Sequence, residues 1–362
     1  MDLKCDVCIV GAGPGGALLG YLLAKSNLSV IVIERHEKMD KEFRGEHLNV
    51  AGEEVLKSYS LYDMVEKTGL LPMERIEYWK NGEVIKSIMP SENERHVGIH
   101  VPQKNLLTAI LTESTSFQNY RLLTGTKAVS LIKENGMVKG IVAENGKEKI
   151  QILSSIVVGS DGRFSTIRKL AGIPFQQIAH GYDLLWAKIP APSLWTPVIR
   201  QALIDGKQLA LFSQAGGNIQ IGWNIEKGIF PQLKKQSFYP FIQKVIEAFP
   251  DLKELVQNHI QSWQDFILLN VHSCKCQSWV QDGLVMMGDA AHTMSPTGAY
   301  GLNSALLDAS ILYEVIIEAM SLNDFSERSL KAFEQLRRTE VERLQAQQIM
   351  QEASFHQHFA SA

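Results

Sequence analysis

Apolar and polar positions along the chain alternate between two spacings, one of strands and one of helices. Near the start, Val7 to Val10 reads as a short buried strand. Ala17, Leu18, Tyr21, Leu22 and Ala24 then recur at helical spacing, and Val30 to Ile33 is a second strand that ends at Glu34. The pattern returns in the middle of the chain, where the strand Ile156 to Val158 leads into Gly159-Ser160-Asp161-Gly162. Ser165 is placed there to cap a helix that starts near Thr166. A third case comes late, where Leu284-Val285-Met286-Met287 precedes Gly288-Asp289, a loop with Pro296, Gly298 and Gly301, and a helical apolar pattern. Between these lie stretches that predict strands at 73–89, 182–190, 200–226 and around 266–272, with Asn81-Gly82 a strong hairpin turn. Residues 236–262 read as helical, and an amphipathic stretch with Leu330, Phe333, Leu336, Val341 and Leu344 closes the chain.

The first of these units carries its own chemistry. Between strand and helix stands Gly11-Ala12-Gly13-Pro14-Gly15-Gly16. In a βαβ unit Gly11 permits the tight turn, Gly13 lets backbone approach a pyrophosphate, and Gly16 lets helix and strand pack closely. The phosphates then meet the unpaired amides at the helix start. Glu34 is placed to accept from a ribose 2′-hydroxyl, and its charge repels a 2′-phosphate. Strand, helix, second strand and acid together predict dinucleotide binding, with NAD and FAD both open at this point. Asp161 in the second unit has two readings, a ligand for the dinucleotide or an Asp bonding its own backbone turn.

Composition narrows the class. At 362 residues the chain has room for two domains or one interrupted one, and 45% hydrophobic with 21% charged residues is ordinary for a globular protein. A net charge of −3 gives no basic patch for nucleic acid. No apolar run reaches the roughly 20 residues of a membrane span. The start, MDLKCDVCIVGAG, lacks the basic head, long apolar run and cleavage site of a signal peptide, so a cytoplasmic location is expected. Cys5 and Cys8 sit at i and i+3 of a strand and face opposite sides, and Cys274 and Cys276 lack a second metal-spaced pair. Reduced thiols and no metal site are the expectation.

Taken together and in order, the GxGxxG loop, the Asp161-Gly162 turn and the stretch GDAAHTMSPTGAYGLN at 288–303 resemble the FAD-dependent class A monooxygenases of the para-hydroxybenzoate hydroxylase fold. The resemblance spans nearly the whole chain. It implies an α/β protein with a Rossmann-like FAD-binding domain at 1–72, 98–175 and 271–362, interleaved with a β-rich substrate domain at 73–97 and 176–270. It further implies that Asp289 accepts from the ribitol of non-covalent FAD while Gly288 allows close approach. Pro296 and Gly298 would border the isoalloxazine, and the amides around Gly301, Leu302 and Asn303 would face its N1–C2=O edge. His292 would be structural. Arg44, in EFRGEHLN, is similar to the arginine that reaches the pyrophosphate. Gln103 opens a helix over the cofactor where many relatives have arginine, and Arg35 would lie against the adenine.

The activity implied is a hydroxylase. NADH or NADPH reduces FAD as a transient co-substrate, oxygen adds at C4a, and the hydroperoxide delivers oxygen to an aromatic, polycyclic or electron-rich small molecule. Pocket candidates on the substrate strands are Tyr182, Asp183, Trp186, Gln201, Trp223 and Asn224, of which alternation turns about half away. No catalytic base is assigned, and the oligomer is expected to be a monomer or homodimer. Rival readings are a reductase, a dehydrogenase or a halogenase on the same fold, or a non-catalytic flavin-binding protein. A halogenase would carry WxWxIP, which Gly222-Trp223-Asn224-Ile225 does not match. A prenyl-chain reductase would carry a PxxYxWxFP-type stretch, which is not found.

Overall fold

Val7, Cys8 and Ile9 are fully buried, as a strand covered on both faces must be, and they lie at the centre of a largely parallel sheet. The computed structural model describes residues 2–39, 46–92 and 94–360. Among these, six strands run in the order Val280–Gln281, Leu284–Met286, Glu148–Gly159, Asp2–Val10, Val30–Ile33, Tyr120–Leu123. All pairings except the first are parallel, and the helix Pro14–Lys25 crosses between the first two strands of the chain. Three strands that begin the units singled out in the sequence (2–10, 148–159 and 284–286) are therefore neighbours, and their loops meet at one edge.

Glu148–Gly159 is longer than the sequence pattern suggests, because its first half pairs with Met137–Asn145, which in turn pairs with Thr126–Glu134. This antiparallel extension leaves little trace in the hydrophobic pattern. Its turns, Asn135-Gly136 and Asn145-Gly146, are nevertheless the Asn-Gly dipeptides that favour tight hairpins, with Asn135 at φ 50° and Gly136 at φ 86°.

A second sheet of seven strands runs Ile267–Leu269, Tyr182–Pro190, Asn218–Glu226, Lys207–Gln214, Val198–Ile204, Arg75–Lys80, Glu83–Ile88. Asn81-Gly82 turns its edge hairpin, with both residues at positive φ. One face of this sheet, through Leu185, Ala187, Ile189, Leu209, Leu211, Ile219 and Ile221, packs on the helices Tyr239–Ala248 and Lys253–His259. Two long helices, Tyr300–Leu322 and Glu327–Ser354, complete the first core. On the second of them Leu330, Phe333 and Val341 are buried as expected, but Leu336 is 64% exposed. The apolar stripe of that helix is narrower than its sequence suggests, because part of the buried face is occupied by Arg337, Gln345 and Gln348. All four cysteines are free thiols.

Candidate functional site

The first loop shows why glycine is required at some positions and merely permitted at another. Gly11 has φ 107°, and a Cβ there would stand 2.4 Å from the carbonyl oxygen of Ser160. At Gly16 a Cβ would stand 2.1 Å from the Gly11 carbonyl. Gly15 is filled from the other side: its Cβ position is 2.8 Å from both the Ala305 carbonyl and the Met287 methyl, so this glycine lets the long helix 300–322 pack on 14–25. Gly13 differs, since a Cβ there would have nothing within 4 Å and its φ is an ordinary −67°. Pro14 opens the helix at a position where its missing N–H costs nothing. Among the described residues, no side chain caps the first amides of this helix and no acidic residue stands in its first turn.

Glu34 follows the second strand and lies beside the glycine loop. Its Oε2 accepts from the Ala12 amide at 3.2 Å, and its Oε1 lies 2.5 Å from His36 Nδ1 and accepts from the His36 amide at 3.0 Å. Arg35 is exposed next to it. Arg44 lies outside the described residues. Gln103 begins the helix 103–114, and its amide donates to Glu46 Oε1 at 3.0 Å, so Glu46 closes that helix start.

The two aspartate turns meet through residues that the sequence pattern does not single out. Asp161 accepts from Ser165 Oγ at 2.5 Å and from the amides of Thr166 and Ile167 at 2.6 and 3.0 Å. Its carboxylate therefore caps the short helix 166–170 and shapes the turn, which is the backbone-bonding alternative of its two readings. Arg168, on that helix and 2% exposed, donates to the carbonyls of Ala290 and Arg163 at 2.7 and 2.9 Å. It ties the Asp161 turn to the Gly288-Asp289 turn. Asp289 projects at the junction, 35% exposed, with Arg163 Nε at 4.0 Å. Gly288 has φ 56° and donates its amide to Asp308 Oδ2 at 2.8 Å.

Asp308 is fully buried and also bonds His292 Nε2 at 2.6 Å and Arg337 Nε at 2.8 Å. Burial pushes its carboxyl up, but the charges and hydrogen bonds of His292 and Arg337 outweigh that and hold it below the ordinary range. His292 is 3% exposed and packs on Trp279, the geometry of a structural imidazole. Beyond it the chain passes Pro296 and then two consecutive left-handed residues, Gly298 at φ 71° and Ala299 at φ 54°. A left-handed alanine costs roughly 1–2 kcal/mol, and such strain persists only where surroundings impose it. The helix 300–322 starts directly afterwards with Gly301 and Leu302 part-exposed, again with neither cap nor first-turn acid. The Asn303 side chain is committed elsewhere. It donates to the carbonyls of His47 and Ala299 at 3.0 and 2.8 Å and accepts from the Asn49 amide at 3.1 Å.

Two long-helix starts without side-chain caps among the described residues, one at Gly13 and one behind a left-handed turn, accompany a half-buried aspartate. This suits a ligand with a pyrophosphate at one end and a carbonyl edge at the other. Likeness to known proteins decides which ligand. The FAD binding domain family matches residues 4–348. The chain belongs to that family. It is 33% identical over 352 residues to 6-methylpretetramide 4-monooxygenase of Streptomyces rimosus, covering 96% of this chain and 83% of that protein. The crystal structure of PqsL, a probable FAD-dependent monooxygenase from Pseudomonas aeruginosa, superposes with a TM-score of 0.84 at 18% identity, covering 97% and 96% of the two chains. That of p-nitrophenol 4-monooxygenase PnpA from Pseudomonas putida does so at 0.81 and 17%, covering 98% and 89%. The protein is thus an FAD-dependent monooxygenase of class A, with the α/β fold that the three motifs implied.

In this flavoprotein the second sheet turns one face toward the loop 293–299. Tyr182 marks the direction, its hydroxyl 2.8 Å from Thr297 Oγ1. Cross-strand register puts Leu184, Trp186, Asn224, Gly222, Ala210 and Gln201 on that same face. A Cβ on Gly222 would stand 2.6 Å from the Trp186 ring, so the indole lies over the glycine, with Phe212 at 6.1 Å between centroids. Of the six pocket candidates, Tyr182, Trp186, Gln201 and Asn224 share this face. Asp183 and Trp223 point the other way. Asp183 accepts from Lys227 Nζ at 2.7 Å and from the Gly228 and Val271 amides at 2.9 and 3.2 Å, and Trp223 stacks on Phe241 at 3.9 Å. Among the described residues no cluster of His, Cys, Asp and Glu suits a metal, and no helix is long and apolar enough to cross a membrane.

Proposed function

We propose that this monooxygenase uses NADH or NADPH to hydroxylate a planar aromatic or polycyclic small molecule held against the sheet face of Trp186. The FAD contacts are assigned to Gly11, Gly13, Pro14, Gly16, Glu34, Arg35, Arg44 and Gln103 for the adenosine and pyrophosphate half. Gly288, Asp289, Pro296, Gly298, Gly301, Leu302 and the backbone of Asn303 would hold the ribitol and ring half. Asp161 and Gly15 belong to the same assembly as the residues that set the shape of its turns. The division into a flavin domain (1–72, 98–175, 271–362) and a substrate domain (73–97, 176–270) follows the two sheets.

FAD supplies the redox and oxygen chemistry when bound. The chain's own residues bind and orient. Asp289 and the helix start at 300 fix the cofactor, while the sheet face supplies an apolar surface that sheds water from an aromatic ligand. The observation that carries the substrate class is Trp186 over Gly222 with Phe212 beside it, on the face that also carries the carboxamides of Gln201 and Asn224. A flat indole offers a stacking surface, and neutral carboxamides hydrogen-bond phenol and carbonyl edges. The relative that acts on 6-methylpretetramide supports the same class.

The test is a panel of monocyclic and polycyclic phenols, scored for stimulated NAD(P)H consumption and for one atom of labelled oxygen in the product. Gly222→Val, which displaces the indole, should abolish stimulation and leave FAD bound. Reductant consumption that rises with a ligand whose product carries no oxygen label would overturn the reading in favour of a reductase.

A further inference from the structure

The last helix, 327–354, is mostly polar, yet three of its polar side chains point inward at a spacing of i, i+3 and i+7, which is one helix face. Gln345 and Gln348 are 2% and 0% exposed. Gln345 Nε2 donates to the carbonyls of Cys274 and Thr293, both at 3.0 Å. Gln348 Nε2 donates to the carbonyls of Ser295 and Thr297 at 2.7 and 2.6 Å. Glu352 Oε1 accepts from the hydroxyls of Ser295, Thr297 and Tyr182 at 2.7, 2.8 and 3.2 Å. Its Oε2 lies 2.6 Å from His180 Nδ1, whose Nε2 is 2.7 Å from Ser273 Oγ. Burial pushes the Glu352 carboxyl up, but His180, Ser295 and Thr297 outweigh it and keep the group ionised below its usual range.

Ordinary packing does not explain these residues. A leucine or methionine at 345 and 348 would fill the same space without burying a carboxamide. Moreover, among the described residues the buried side-chain oxygens of both glutamines have no hydrogen-bond partner. Leaving such a group unsatisfied costs roughly 1–3 kcal/mol, so each glutamine is kept for what its NH₂ group holds. Both hold the loop between His292 and the helix start at 300, the segment with two left-handed residues. Glu352 grips the same loop by its hydroxyls and joins it to Tyr182 on the second sheet.

We infer that Glu352, with Gln345 and Gln348, is a positioning device that fixes the flavin-bordering loop 293–299 and ties it to the sheet that receives the substrate. None of these side chains need touch FAD or substrate. They act by holding Pro296 to Ala299 in a conformation the loop does not adopt alone. The inference rests on the family's FAD site and is independent of which molecule is oxygenated.

The test uses the full-length holoenzyme and three readouts: FAD release followed by free-flavin fluorescence, the shape of the bound-flavin visible band, and hydrogen exchange of the amides of 293–300. Glu352→Leu should speed FAD release by on the order of tenfold, the loss expected for charge-assisted hydrogen bonds, blur the visible band and raise exchange. Glu352→Gln keeps an oxygen acceptor for Ser295 and Thr297, so it should restore release to within about threefold of wild type. Tyr182→Phe, which cuts only the tie to the sheet, should raise exchange and leave the protein yellow. If Glu352→Leu does not fold, Gln348→Met carries the same expectations. A folded Glu352→Leu or Gln348→Met with wild-type release, band and exchange overturns the inference. So does Glu352→Gln behaving as badly as Glu352→Leu, since the grip on the loop would then not be what matters.

Discussion

Replacing Asp308 by Asn keeps its volume and removes its charge, which makes it a clean probe of how the Gly288-Asp289 turn is held. The carboxylate is fully buried and bonds the Gly288 amide, His292 Nε2 and Arg337 Nε at 2.6–2.8 Å. Without it, the buried Arg337 guanidinium, 2% exposed, loses its salt-bridge partner, and among the described residues its Nη2 has no hydrogen-bond partner. Stranding one member of a buried pair costs about 3–5 kcal/mol. That is a fifth or more of a typical folding free energy of roughly 5–15 kcal/mol. At about 1–2 °C per kcal/mol for a chain of this length, the melting point should fall by roughly 5 °C. Urea titration of the wild type, Asp308→Asn and Asp308→Leu/Arg337→Leu would measure it, read as a change in midpoint at constant slope. The double variant removes both charges and should recover much of the loss. An Asp308→Asn protein within about 1 kcal/mol of wild type would refute the claim that this ion pair anchors the turn.

Asp289→Ala should loosen FAD by about 1.5–3 kcal/mol, the worth of a charge-assisted hydrogen bond to a ribitol hydroxyl; unchanged retention on dialysis would show that the aspartate is not a ligand. Glu34→Ala should weaken FAD binding and leave the preference between NADH and NADPH as it was, whereas a switched preference would place the nicotinamide cofactor in the first loop. His47 is held neutral to about pH 4, first by burial and then by the nearby charges of His100 and His96. Its folded pKa lies below the unfolded value of about 6.5, so its contribution is complete above about pH 6.5 and is lost as pH falls toward 4. The loss amounts to at most about 3 kcal/mol. Urea midpoints should therefore show wild type losing ground to His47→Gln as pH falls through that window, and parallel curves would count against the assignment.

How much is legible in the chain depends on how local the physics is. Gly11, Gly13 and Gly16 can be read because a strand–turn–helix imposes its demands within a few residues. The hairpins at 73–89 and 200–226 announce themselves by alternation and by Asn-Gly or Asp-Gly turns. Asp308 with Arg337, and Glu352 with His180 and Tyr182, do not show, because each set is joined only when distant segments pack. A signal is nonetheless present: Asp308 is the one charged residue in Ser304–Tyr313, and a charge on a buried helix face must find a partner. Arg163 and Arg168 follow the Asp161-Gly162 turn directly and look like surface charges in the sequence, although Arg168 is buried. The strands 126–145 stay hidden for the opposite reason. Their outer positions are lysines and glutamates, so only their turns speak for them.

The helix starts of the flavin half suggest one further test. Helix 50–58 is capped by Asn49, 166–170 by Ser165 and 327–354 by Ser326, each accepting a backbone amide. The helix at 103 has its first amide taken by Glu46. Among the described residues, helix 62–68 has no side-chain cap but an acid, Asp63, in its first turn, whereas the helices at 14 and 300 have neither. An open helix start forgoes the roughly 1 kcal/mol that a cap supplies, and a bound anion or carbonyl edge restores it. Gly13 is the cap position of the first of these helices. Its backbone is extended, at φ −67° and ψ 176°, and a side chain there would meet nothing within 4 Å. Serine would therefore fit without strain. It would reduce the freedom of the unfolded chain and accept a first-turn amide, together worth about 0.5–1 kcal/mol. Gly13→Ser should thus raise the stability of the FAD-free protein while lowering its affinity for FAD, because the hydroxyl occupies the space of the pyrophosphate. Opposite signs in the two measurements are what a cradle kept open for a ligand requires. A variant that lost stability and FAD together would show the glycine to be structural, and one that gained stability and kept FAD would place the pyrophosphate elsewhere.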